Sequence, residues 1–320
     1  MADRTAETVR QEKDAVSRST YMRAIVLGIL GSFFFAFNFI LIRSMNLGGG
    51  YFLWTATLRY LFTLPLMAAA ILLSRGDGFG PVFRSIRRKP RQWLIWSTVG
   101  FGLFYVPLSA ASIYGESWFT AAIWQFTIVA GVLLTPLSGK KIPVRNLLFS
   151  AVIVAGILLM QYSKIRMGVQ ADWGMLLLMM GIATFSYPLG NRKMMQTVSE
   201  DHLTAAQRVF GMTLCSMPFW IVCFFMALGK AGLPSASQVT QSFLIALLAG
   251  TIATILFFAA TDLVKDDPKK LAVVEATQSG EVIFTVLMGI LILRDSAPDA
   301  MGLAGIAVIV AGMILTSLSA

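Results

Sequence analysis

Apolar residues fall in uninterrupted runs of about 20 along almost the whole chain, with short polar breaks between the runs. A helix rises about 1.5 Å per residue, so each run is long enough to cross the roughly 30 Å hydrocarbon layer of a bilayer. The pattern predicts ten membrane helices, over residues 22–42, 51–73, 93–113, 118–137, 144–162, 173–190, 203–228, 239–264, 271–293 and 300–318. The runs are too continuous for the alternating segments of about ten residues that build a lipid-facing barrel. In lipid, a helix is the other structure that satisfies its own backbone. The predicted fold class is all-α, a polytopic membrane protein with ten transmembrane helices.

Composition agrees with the pattern. Of 320 residues, 57% are hydrophobic and 13% charged, about half the charged share of a soluble domain. Residues 1–21 depart from this: they carry both signs of charge, from Asp3 and Arg4 to Asp14 and Arg18, and hold no apolar core. They read as a solvated cytoplasmic N-terminal tail, not as a cleaved signal.

A net charge of +10 would suggest nucleic acid in a soluble chain, but its distribution points to lipid. On the tail side of the predicted bilayer fall Arg75, Arg84, Arg87, Arg88, Lys89 and Arg91, then Lys140, Lys141 and Arg145, then Arg192 and Lys193, then Lys265, Lys269 and Lys270. The opposite connections carry only Arg43, Lys164, Arg166, Lys230 and Arg294. Positive connections stay cytoplasmic, which places both termini there. The run RSIRRKPR at 84–91 is read as orientation and lipid headgroup contact, with no nucleic-acid partner.

Cysteine and histidine usage gives no metal or disulfide chemistry. Cys215 and Cys223 lie inside the seventh predicted span and His202 sits alone in a short loop, with no ligand spacing among them. LGGGYF at 47–52 is a tight turn with no Gly-Lys-Ser/Thr after it, and no nucleophile elbow or paired catalytic carboxylates occur. Neither an enzyme nor a resident cofactor is expected.

The chain carries a weak internal repeat. Residues 121–156 lie over 277–312 without gaps at an offset of 156, both ending in IVAG, and Gln125 falls opposite Glu281. Earlier in the halves an offset of 149 superposes Arg43 on Arg192, Met45 on Met194 and Arg59 on Arg208. The first half is residues 22–162 and the second 163–320. Five helices is an odd number, so the second half must enter the membrane with inverted topology. Inverted repeats commonly enclose a substrate site near the midplane, with a gate from each half; Arg43 and Arg192 are placed at the helix ends where such gates would lie.

Within the spans, the candidate chemistry centres on Glu281, near the middle of its run. A charge at that depth costs on the order of 3 kcal/mol on insertion scales, so the side chain must face protein or water. Desolvation disfavours the charged form of a carboxyl, which suits a group that takes up and releases a proton. Arg59 and Arg208 also lie inside spans and are available to pair with Glu281 or to hold a carboxylate or phosphate. Gln125, Trp124, Gln278, Asn38, Tyr187 and Tyr105 bring amides and aromatic rings near these charges, and an aromatic face can bind an organic cation. Glu275 is expected at the cytoplasmic mouth, with Glu116 and Asp262 solvated near span ends.

Ten spans, an inverted five-plus-five repeat and basic cytoplasmic connections resemble the drug/metabolite transporter superfamily. The stretches NFILIRSMNLGGGYFLWTATLRY, YGESWFTAAIWQFTIVAG and EATQSGEVIFTVLMG are similar to its ten-helix multidrug-resistance efflux branch, over roughly residues 22–318. The resemblance implies a permease of the bacterial cytoplasmic (inner) membrane that exports by alternating access. The family's four-helix members place their essential glutamate in the first helix, where this chain has Asn38 and no acid, so a proton role for Glu281 rests on its depth. The expected function is a proton-coupled exporter of small organic solutes or drugs, with protons and lipid as its other partners. The alternative is an exchanger or permease for an anionic or zwitterionic metabolite held by the arginines. Ten helices suffice to enclose a site in one chain, so a monomer serves, and a dimer stays open.

Overall fold

The computed structural model describes residues 2–74, 76, 78–138, 141–142, 144–166, 172–264 and 267–318. The side chains of residues 2–18, 138, 146, 164, 268, 269 and 272 lie outside that description. Of the basic residues used above for orientation, Arg75, Lys140 and Lys265, and the side chains of Arg4, Arg10, Lys13, Arg18, Lys164 and Lys269, therefore lie outside the described residues.

Among the described residues every regular element is helical. In chain order the main helices are α1 (Ala2–Leu47), α2 (Phe52–Leu73), α3 (Pro90–Ala111), α4 (Ser117–Leu133), α5 (Val144–Arg166), α6 (Trp173–Thr197), α7 (Ala205–Ala231), α8 (Ala236–Asp262), α9 (Val273–Leu293) and α10 (Ala300–Leu318). Eight are long and apolar enough to cross a bilayer, α1 from Ser19 onward; α4 and the apolar part of α5, Leu147–Ser163, are shorter. The protein is a polytopic membrane protein. The charged segment before residue 22 continues α1 as helix, and Arg43 and Arg192 lie within α1 and α6 instead of at their ends.

Helix starts follow local chemistry. Thr204 and Gln207 close a capping box at the start of α7, the Ser235 hydroxyl accepts from the Gln238 amide at the start of α8, and Asp172 accepts from the Met175 amide at the start of α6. At the far end of α7, Gly232 takes φ 67°, a region where a side chain is strained.

Several helices are interrupted near their middles. α3 contains a π-turn at Thr98–Gly102 and α8 another at Ala246–Ile252. α9 is broken by a 3-10 turn at Thr277–Ser279, immediately before Glu281. The run predicted as one helix over 118–137 breaks at Gln125 and ends at Leu133. There the Gln125 amide bonds back to Ala122 O at 3.2 Å, while the side-chain Nε2 of Gln125 donates to Ala121 O at 3.1 Å. A regular helix would give Ala121 O to the Gln125 amide itself, so the side chain repairs the bond that the break releases. Such interruptions are tolerated at membrane depth where neighbouring groups satisfy the backbone or line a cavity.

Small residues set the closest crossings. A Cβ added at Gly156 of α5 would stand 2.7 Å from Gly305 O of α10, and Gly190 of α6 lies directly against Gly100 of α3, the small-residue packing expected between helices in lipid. α1 runs antiparallel to α8: Ala24 packs with Ala260 and Val264 at one end, and the Ser242 hydroxyl meets Met45 at the other. α2 and α7 are also antiparallel, with Trp54 Nε1 donating to Gly232 O at 2.9 Å at one end and Met67 packing with Phe210 at the other.

The basic run at 84–91 is partly engaged within the protein. It lies on a short helix, Gly80–Arg88, and the turn after it. The Asp201 carboxylate accepts from the Ser85 hydroxyl at 2.6 Å and from Arg88 at 3.2 Å, and Lys89 donates to Thr197 O at 2.6 Å. These bonds tie the segment to the α6–α7 connection.

Candidate functional site

The helix interruptions surround a cavity of about 340 Å³, within the roughly 300–1,000 Å³ range of small-molecule sites. It is lined by α1 to α4 and α6 to α9; α5 and α10 pair with each other outside it. Of the nine residues singled out in the sequence, Glu281, Arg59, Arg208, Gln125, Trp124, Gln278, Asn38 and Tyr187 all line this one space. Tyr105 does not. It is fully buried behind the wall, and its hydroxyl donates to Asn38 Oδ1 at 2.7 Å.

Asn38 is the hinge of a small polar cluster. The same oxygen accepts from Arg59 Nη1 at 3.1 Å, which lays the guanidinium 3.9 Å over the centroid of the Tyr105 ring and 5.4 Å from that of Tyr60. Tyr60 is stacked on Trp220 at 4.5 Å. Arg59 is thereby fixed in place with its Nε buried and unpartnered. Glu281 stands in the first turn after the 3-10 break of α9, and it lines the same cavity as Gln125. The two breaks in α4 and α9 thus bring Gln125 and Glu281 into the lining of one cavity.

Arg59, Arg208 and Glu281 are the charged side chains that line the cavity among the described residues, and Tyr187 lies within the field of all three. Among the described residues no ion pair joins Glu281 to either arginine, and the Arg208 guanidinium has no hydrogen-bond partner. The pairing left open by the sequence is absent from this conformation. Aromatic side chains that sequence reading passed over, Phe35, Phe101, Phe257 and Phe258, complete the apolar wall.

The cavity reaches from the middle of the bundle toward the end that carries the start of α7, with Arg208 and Asn191 on that side. The opposite end is sealed by a second polar cluster. Asp295, just past α9, has a side chain only 3% exposed and lies 4.0 Å from Arg43 Nε of α1. Its Oδ2 accepts from the Ser117 amide at 3.0 Å and from the Ser117 hydroxyl at 2.5 Å, at the start of α4. Arg43 also donates to Ser112 O at 3.1 Å, and Asn46 donates to the Ser112 hydroxyl at the end of α3. Trp118 Nε1 donates to Ser296 O at 3.0 Å, while the Ser296 hydroxyl donates to Glu116 at 2.7 Å. Glu116, expected to be solvated, is thus half-buried within this seal, whereas Asp262 and Glu275 are exposed. The seal ties α1, α3, α4 and α9 together at one end.

Comparison with known proteins places this geometry in a family. A family model described as "EmrE: Putative multidrug resistance efflux transporter" matches residues 22–320. The chain is 46% identical over 310 residues to "Uncharacterized protein YjlA" of Bacillus subtilis (strain 168), covering 92% of this chain and 94% of that protein. It is 40% identical over 274 residues to a Shouchella clausii protein described as an "Uncharacterized 42.1 kDa protein in intracellular alkaline protease 3'region", covering 82% of this chain and 71% of the other. A solved crystal structure superposes with a TM-score of 0.63 over 93% of this chain and 97% of that one at 13% identity, a likeness of fold.

Proposed function

Because the chain belongs to the EmrE family of multidrug resistance efflux transporters, we propose that it is a secondary active transporter, a proton-coupled exporter of small organic solutes that works by alternating access. The observation that carries this reading is the central cavity, in which a carboxylate and two guanidinium groups stand unpaired while one end of the bundle is sealed. Intramembrane ionisable groups are costly and commonly mark solute or proton routes. In the proposed cycle Glu281 takes a proton, Arg59 and Arg208 face the cargo, and the seal around Asp295 opens when the loaded site reorients.

The proposed architecture is ten transmembrane helices in an inverted repeat of residues 22–162 and 163–320. Reciprocal pairing supports it. α1 packs on α8 as α6 packs on α3, α1 on α9 as α6 on α4, and α2 meets α7 while α5 meets α10. The π-turns of α3 and α8 and the breaks at Gln125 and before Glu281 also fall at matching positions of the two halves. We place the protein in the bacterial cytoplasmic membrane with both termini in the cytoplasm, from the basic connections. The cavity then faces the cytoplasm and the Arg43–Asp295 seal closes the outer side, a loading conformation for export.

The test is solute flux in proteoliposomes under an imposed pH gradient. Wild-type protein is expected to respond to the gradient, and Glu281→Gln to insert normally and lose the response. Gradient-driven flux that survives the substitution contradicts the proton role. A second reading, exchange of an organic acid without proton coupling, is favoured by the two unpaired arginines and predicts flux that ignores the gradient but requires Arg208.

A further inference from the structure

The cavity carries two guanidinium groups against one carboxyl. With Glu281 ionised the site holds one net positive charge, and with Glu281 protonated it holds two. Both protonation states repel a cargo that is only cationic. Among the described residues neither arginine has an acidic partner.

The aromatic lining gives a second, independent indication. An organic cation is bound best over exposed ring faces, and here the protein's own cation occupies the Tyr60 and Tyr105 rings beside the cavity. Arg59 lies over Tyr105 at 3.9 Å and 5.4 Å from the Tyr60 centroid, and Trp220 stacks on Tyr60 at 4.5 Å. Two features remain for a cargo. One is apolar contact with Phe35, Phe257, Phe258 and Trp124; the other is the Arg208 guanidinium, which has no hydrogen-bond partner among the described residues. A planar guanidinium fork matches a carboxylate or phosphate head.

We infer that the cavity selects organic anions, small acids with an apolar body, and disfavours the cations that a multidrug label suggests. This inference rests on reading the cavity as the cargo site. Arg208 holds the acidic head, Arg59 assists from its fixed position on Tyr105, and the phenylalanine side receives the apolar body.

The experiment is calorimetric binding to the purified full chain in lipid nanodiscs, with three probes that share one phenyl body: 3-phenylpropanoate, phenylalanine and phenethylamine. The acid is expected to bind at least tenfold tighter than the amine, with the zwitterion between them. Arg208→Gln is expected to erase that tenfold preference, and Arg208→Lys, which keeps the charge without the fork, to keep the order with weaker binding of the acid. Amine binding as tight as acid binding, an unchanged acid affinity in Arg208→Gln, or no binding of any probe overturns the inference. Flux of the same probes separates this result from the transport reading. Acid binding without flux sinks transport and leaves the charge preference, while gradient-driven flux of the amine sinks the preference and leaves transport.

Discussion

Two regions of this bundle hold an arginine and a carboxylate, and they satisfy them in opposite ways. At the sealed end Asp295 accepts two hydrogen bonds from Ser117 and lies 4.0 Å from Arg43, which donates through Nη1 to Ser112 O while its Nε, like that of Arg59, has no hydrogen-bond partner. At the centre Arg208 has no partner among the described residues, Arg59 rests on a neutral amide and a ring, and no ion pair joins Glu281 to either arginine. Removing one member of a satisfied buried pair leaves an uncompensated charge and costs several kcal/mol. An unsatisfied charge carries that cost already, and is free to be relieved by a proton or a ligand. The sealed end is therefore read as contributing stability to this conformation, and the centre as giving up stability for binding.

The largest effect expected from breaking this contrast is functional. Glu281→Gln should lower gradient-driven flux by more than about a hundredfold, the scale of losing a required proton carrier, while thermal stability changes by no more than about 1 kcal/mol because a costly buried charge is removed. Asp295→Ala should do the reverse in kind. Denaturation of the purified protein is expected to show a loss of about 2–3 kcal/mol, with binding at the centre retained. A smaller effect is expected where the two kinds of region meet. Asn38→Ala removes the acceptor that positions Arg59 and Tyr105, and should cost about 1–2 kcal/mol for two hydrogen bonds, one of them to a charged donor. If Asp295→Ala and Glu281→Gln prove equally harmless to stability, the contrast is lost.

Much of this layout was legible in the chain because lipid imposes a strong, simple pattern. Eight of the apolar runs match helices long enough to cross a bilayer and two match shorter apolar helices, and most of the polar positions singled out inside those runs converge on one cavity. Glu281 stood out because a carboxylate in the middle of such a run has few places to go. Two features were hidden for physical reasons. Helix breaks at Gln125 and Thr277–Ser279 leave no hydropathy signal, since the residues stay apolar around them and the released carbonyl is repaired by a side chain. Asp295 follows a span and looks like a solvated loop residue; its burial depends on Arg43 and Ser117, which are remote in sequence and meet only when α1, α4 and α9 pack. Tyr105 was placed in the cavity wall, whereas its role in the structure is to support Arg59 from behind.

The sidedness of the cavity tests the account most directly. Thr127 lines it, and Thr127→Cys in a background of Cys215→Ser and Cys223→Ser can be labelled with a membrane-impermeant maleimide in vesicles of either orientation. Labelling is predicted from the face carrying the start of α7 and at least tenfold more slowly from the Asp295 face, with Asp295→Ala raising the slow rate. Equal labelling from both faces, or labelling that Asp295→Ala leaves unchanged, contradicts a sealed Asp295 end over an unpaired charged centre.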